Sequence, residues 1–187
     1  MNLSLEHIDF EKKFRHLIGL TLSKVEYIEI DYSPEYPKPW YQTKFKEIDS
    51  IDFSIILYFE HQSHAEIYWD GQFFQYGIGL QINKGPIFSG YRKWNVTENE
   101  MWKKFIGQSI KETKITWESV TTTEDRTGIQ EHIVYPQDLK IEFSNNKDIF
   151  ISAAAFMDEW DDTAYGFMDN LLVTDNETLA KEVKMIA

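Results

Sequence analysis

One block of this sequence occurs twice, and any fold must accommodate both copies. Phe14-Arg15-His16-Leu17-Ile18-Gly19 and Trp102-Lys103-Lys104-Phe105-Ile106-Gly107 stand at an offset of 88 positions. Each reads aromatic, two basic or polar residues, two apolar residues and glycine. Each then runs into a stretch of alternating polarity, to Tyr27 and to Ile115. A second matched pair follows in the same order at an offset of 84, Ile55 to Ile67 and Leu139 to Ile151. In both members apolar residues alternate, a short polar stretch intervenes, and an apolar strand resumes. That is the pattern of a β-hairpin. Asn145-Asn146 tolerates left-handed backbone angles and suits the turn.

Two matched blocks in the same order imply a duplication. The units predicted are 1–94 and 95–187. Each opens with a short helix. In the first, Ile8, Phe10, Phe14, Leu17 and Ile18 recur at helical spacing over 6–18, and Gly19 serves as the stop. In the second, Thr97 with Glu100 forms a capping-box pattern ahead of Met101, Trp102, Phe105 and Ile106, and Gly107 is the stop. Strands are expected over Leu20 to Tyr32 and Ser109 to Val120. Thr113, Ile115 and Trp117 share one face; Lys114, Thr116 and Glu118 share the other. The fold class expected is therefore α+β, predominantly antiparallel β, with short helices packed on the sheets and two similar units in tandem.

The units differ in their connections. Pro34, Pro37 and Pro39 stiffen Ser33 to Trp40, which cannot form an inner strand. The equivalent Thr121 to Glu131 is polar and reads as a flexible hairpin loop. Gly71, Gly77 and Gly79 punctuate an aromatic stretch that closes on the turn Asn83-Lys84-Gly85-Pro86. A strand from Phe167 to Thr174 and a helix from Glu177 to Ile186 end the chain.

Composition narrows the function classes. With 187 residues, 42% apolar and 16% aromatic, the chain can bury a substantial core. It has no cysteine, so disulfides, thiol catalysis and cysteine metal sites are excluded. The net charge of −12 is uneven, −3 over 1–94 and −9 over 95–187. Such a surface repels phosphate backbones, and no nucleic-acid partner is expected. No apolar run is long enough to span a membrane. Met1 to His7 lacks the basic and apolar regions of a signal peptide, so the expected location is the cytoplasm.

The densest acidic group is Asp158-Glu159-Trp160-Asp161-Asp162, with Tyr165 close behind. Lys, Arg and His are absent from 148 to 180. Read as a calcium loop from Asp161, it has the glycine (Gly166) but Thr163, Tyr165 and Leu172 at ligand positions, so the ligand pattern fails. Aromatic anchors inside a charged rim instead suit a surface that docks a basic partner. A second candidate is a ligand patch of Glu66, Tyr68, Trp69 and Tyr76, where aromatic faces and a carboxylate would suit a sugar. Alternation places Glu66 and Tyr68 on one face and Trp69 on the other. His61 and His64 have no third ligand nearby, and no nucleophile elbow or phosphate loop is present. No catalytic residue, metal ligand or cofactor is assigned.

In size, charge and aromatic-rich α+β pattern the chain resembles the broad group of bacterial immunity proteins, which neutralise a partner toxin. The leading expectation is a non-enzymatic protein-binding module whose acidic aromatic surface occludes a basic partner. The alternatives are a small-ligand or carbohydrate-binding domain, a hydrolase without a recognisable motif, and a structural role in homo-oligomer packing.

Overall fold

A computed structural model describes residues 3–31, 34–35, 37–70, 72–73, 76–85, 87, 91–123 and 128–187. Tyr32, Ser33, Gly71, Pro86 and residues 124–127 of the polar loop lie outside the described residues.

Helix α1 (Leu5–Arg15) starts at Ser4, whose hydroxyl accepts the His7 N–H while His7 reaches back to the Ser4 N–H. It presents Phe10 and Phe14 to the core. Ten strands follow among the described residues: β1 (Leu22–Glu29), β2 (Asp49–Ile51), β3 (Ser54–Phe59), β4 (His64–Asp70), β5 (Gly77–Ile82), β6 (Arg92–Asn95), β7 (Ile110–Thr123), β8 (Gln130–Phe143), β9 (Asp148–Ala155) and β10 (Tyr165–Thr174). Helix α2 (Glu177–Glu182) is last, capped by the Asn176 side chain.

The strands form two antiparallel sheets, ordered β5-β4-β3-β1-β6 and β2-β10-β9-β8-β7. Removing β6 and β2 leaves the same four-stranded meander in each, β1-β3-β4-β5 and β7-β8-β9-β10. The predicted duplication is thus visible in the topology. It extends to irregularities: the β1–β3 register shifts between Leu22 and Lys24, and the β7–β8 register shifts at the equivalent Ile110 and Glu112.

The sheets face one another across a single core. The row Tyr27, Ile55, Ile67, Leu80 on the first sheet and the row Ile115, Leu139, Ile151, Val173 on the second belong to one buried cluster. Burial of such rows in a face-to-face sandwich is the main stabilising term. Strand β2, contributed by the first half, pairs with β10 at the edge of the second sheet. Helix α2 with Ile48, Phe45 and Phe156 covers the outer face of the second sheet.

The second-unit helix differs from expectation. Only a 3₁₀ turn, Trp102–Lys104, forms there. Thr97 does not cap it, because its hydroxyl accepts the Val25 N–H of β1 at 3.1 Å. Trp102 and Phe105 are nonetheless fully buried, at the positions equivalent to Phe14 and Leu17. Helix α2 also ends early. Lys184 adopts a φ of 57°, and the Met185 N–H turns back to the Ala180 carbonyl at 2.8 Å. No helix among the described residues is long and apolar enough to cross a membrane.

Candidate functional site

The first unit carries a connection between β1 and β3 that the second unit lacks, and the site is built on it. Tyr41 packs edge-on against Tyr27 with ring centroids 5.0 Å apart, and the Ser50 N–H donates to the Tyr41 carbonyl at 2.7 Å. The Thr43 hydroxyl donates to the Ile48 carbonyl at 2.8 Å and accepts the Phe45 N–H at 3.1 Å. These bonds shape residues 41–50 into a fixed arm that ends in β2.

The acidic loop between β9 and β10 folds on itself. The Asp158 N–H donates to the Asp161 carboxylate at 3.0 Å, and the Trp160 N–H donates to the Asp158 carboxylate at 3.1 Å. Lys44 ties the loop to the arm. Its ammonium donates to the Trp160 carbonyl at 2.6 Å and pairs with Asp162 at 2.5 Å. Between arm and loop lies a groove of about 480 Å³, walled by Trp40 and Lys44 on one side and by Asp158, Glu159, Trp160 and Asp161 on the other. Trp160 is 76% exposed and Trp40 47%.

The predicted partner-binding residues are therefore brought together, with one exception. Asp158 to Asp161 line the groove, and Asp162 is engaged by Lys44. Tyr165, half exposed, stands opposite Ala155 in the sheet and outside the groove's lining.

The ligand-patch residues separate. Glu66 is buried and accepts from Ser54 Oγ at 2.7 Å, Gln81 Nε2 at 2.6 Å and the Ile87 N–H at 3.4 Å. Tyr68 is half-buried on the same strand, β4. Trp69 faces the other way, donates to the Asp52 carbonyl at 2.9 Å and packs against Tyr76, with centroids 5.6 Å apart. Among the described residues, no three His, Asp or Glu side chains are grouped to hold a metal ion.

The structure adds buried acids that the sequence reading passed over. A cavity of about 340 Å³ adjoins the groove and shares Trp40 and Ser50 with it; Glu29, Asp52 and Asn170 complete its wall. Glu29 is 1% exposed. Its Oε2 accepts the Trp40 N–H at 3.1 Å, while Oε1 has no hydrogen-bond partner. Burial pushes this carboxyl up to about 7; the Trp40 N–H and the nearby Trp94 indole oppose the shift, and the negative charges of Asp52 and Asp49 add to it. The Trp94 N–H makes no hydrogen bond of ordinary geometry. Asp49 is raised by burial to about 6, against the stabilising Tyr27 hydroxyl, which donates to it at 2.8 Å. Glu29 was legible in principle. Val25, Tyr27 and Glu29 alternate on one face of β1, and the first two are core residues.

No family model matches the chain, and neither curated proteins nor solved structures yield a match. The functional reading therefore rests on the residues of the site.

Proposed function

We propose that this chain is a non-enzymatic protein-binding module, of immunity or inhibitory type, that docks a basic partner on the groove between the arm and the acidic loop. The observation that carries the proposal is the state of Trp160. Its indole is open to solvent, yet its backbone is bonded on both sides, to Asp158 and to Lys44. An exposed aromatic on a pre-ordered backbone costs less conformational freedom on binding than one on a mobile loop, which suits an interface anchor. The carboxylates of Asp158, Glu159 and Asp161 beside it, and the charge of −9 over 95–187, favour the approach of a positively charged surface.

The test is capture of interacting proteins from the source organism by wild type and by a Trp160→Ala, Asp161→Ala variant, with affinities then measured on the purified partner. The expected partner is basic, binds more weakly as salt rises, and loses at least tenfold in affinity to the variant. An identical partner list and unchanged affinity for the variant would overturn the proposal.

A further inference from the structure

We infer that the cavity walled by Glu29, Asp52 and Asn170 receives the guanidinium of an arginine side chain from the basic partner. This inference rests on the groove reading above and extends it inward by one residue of the partner. The cavity and the groove share Trp40 and Ser50, so a chain lying in the groove passes the cavity's mouth.

The chemistry of the walls selects the occupant. Glu29 Oε1 and Asn170 Oδ1 are both buried acceptors without a hydrogen-bond partner. A buried carboxylate oxygen left in this state is costly, and the cost is removed by a ligand that brings donors. Asp52 adds a further carboxylate to the wall. Two neighbouring cations form ion pairs with other carboxylates. Arg92, directly opposite Glu29 in the sheet, pairs with Asp31, and Lys44 pairs with Asp162. The Trp40 ring at the entrance already accepts a cation over its face: the Lys38 ammonium lies 4.0 Å from its centroid.

Acceptors supplied by separate side chains around one small cavity favour a planar fork of N–H donors over a point charge. Guanidinium is also more weakly hydrated than ammonium and is the usual cation of buried ion pairs. The cavity, about 340 Å³, has room for a guanidinium and the end of its stem; it lies at the lower end of the roughly 300–1,000 Å³ usual for ligand pockets.

The probes are N-acetyl-arginine amide and its neutral isostere N-acetyl-citrulline amide, titrated into the full chain at pH 8 and followed by NMR. The arginine amide is expected to bind saturably, and the citrulline amide at least tenfold more weakly. Glu29→Gln should weaken arginine-amide binding at least tenfold, and Asn170→Leu should do the same at a less buried wall position. Both variants are first checked for cooperative unfolding. A Trp160→Ala, Asp161→Ala variant should keep arginine-amide affinity within twofold while losing affinity for a basic nonapeptide. Equal binding of the two amides, or unchanged binding by a folded Glu29→Gln or Asn170→Leu protein, overturns the inference. If the nonapeptide still binds wild type through Trp160 and Asp161 in that case, the groove reading stands alone. If wild type binds neither amide nor peptide, both readings fall.

Discussion

Thr21 and Ser109, 88 positions apart, join their hydroxyls at 2.9 Å and bridge their backbones at the meeting point of the two halves. The bonds around them exchange donor and acceptor between equivalent positions. The Gly19 N–H donates to the Ile110 carbonyl and the Gly107 N–H to the Leu22 carbonyl, both at 2.8 Å. The Leu22 N–H donates to Gln108 and the Ile110 N–H to Leu20, both at 3.0 Å. Such reciprocity is what a local two-fold relation produces, as in the self-complementary interface of a symmetric dimer. The sequence repeat is therefore also the device that holds the two meanders together.

Equivalence of this kind makes a stability prediction. Gly19 and Gly107 have φ of +86° and +77°, and a Cβ at either would meet nothing within 4 Å. The cost of alanine is then one of backbone angle alone, about 1–2 kcal/mol at each position. Gly19→Ala and Gly107→Ala should lower the urea midpoint by similar amounts, and asparagine should recover part of the loss. A neutral Gly107→Ala beside a costly Gly19→Ala would show that the two turns are not equivalent.

Three buried carboxyls set the pH dependence of stability. Burial raises Glu29 and Asp138 to about 7 and Asp49 to about 6. For each, the folded state holds its proton more tightly than the unfolded chain. The associated stability is complete below the ordinary carboxyl pKa, near 4, and is lost as pH rises through 6 and 7. Between pH 5.5 and pH 8 the loss should amount to roughly 4–5 kcal/mol. Urea unfolding at the two pH values measures it, and Glu29→Gln or Asp138→Asn should each flatten the curve. A protein more stable at pH 8 than at pH 5.5 would contradict this assignment of buried acids.

The Lys44 contact should matter for order more than for stability. Asp162 is largely exposed, and an exposed ion pair contributes about 0–1 kcal/mol. Lys44→Met should thus leave the unfolding midpoint nearly unchanged. It should also speed amide hydrogen exchange in residues 158–162, because the bond to the Trp160 carbonyl is lost with the charge. Unchanged exchange in that loop would show that the turn between Asp158 and Asp161 is sufficient to hold it.

What the sequence made legible was local. The hairpin turn at Asn146 depends on neighbours a few residues away and takes the expected left-handed angle, which Gly19 and Gly107 also adopt, but α1 ends at Arg15 with His16 as its C-cap and only a 3₁₀ turn precedes Gly107. Features decided at a distance were not legible. Thr97 carries a capping pattern, but Val25, far back in the chain, takes its hydroxyl and the helix shrinks to one 3₁₀ turn. Strand β2 is three residues long with an Asp and a Ser, too short for a period to register. The groove needs Lys44 to meet Asp162, 118 positions away. Glu66, placed by alternation on an outer face, is met there by the Gln81 side chain and the Ile87 N–H.

Tyr27 joins the core to the site, and its hydroxyl is the group to remove. That hydroxyl accepts the Trp102 indole N–H at 2.5 Å and donates to Asp49 at 2.8 Å, linking β1, the second-unit turn and β2. Its pKa is pushed well above the usual tyrosine range, chiefly by burial and then by the Asp49 charge, so it remains a donor at any working pH. Tyr27→Phe strands a buried indole N–H and a buried carboxyl together. Each stranded group costs about 1–3 kcal/mol, so the substitution should destabilise by about 2–6 kcal/mol. Asp49→Asn keeps a partner for the hydroxyl and should cost less. The double variant Tyr27→Phe, Asp49→Leu should recover part of the single loss, because the stranded carboxyl is gone. Additive losses in that cycle would mean that the hydroxyl and the carboxylate are not coupled, and that β2 is held to β1 by packing alone.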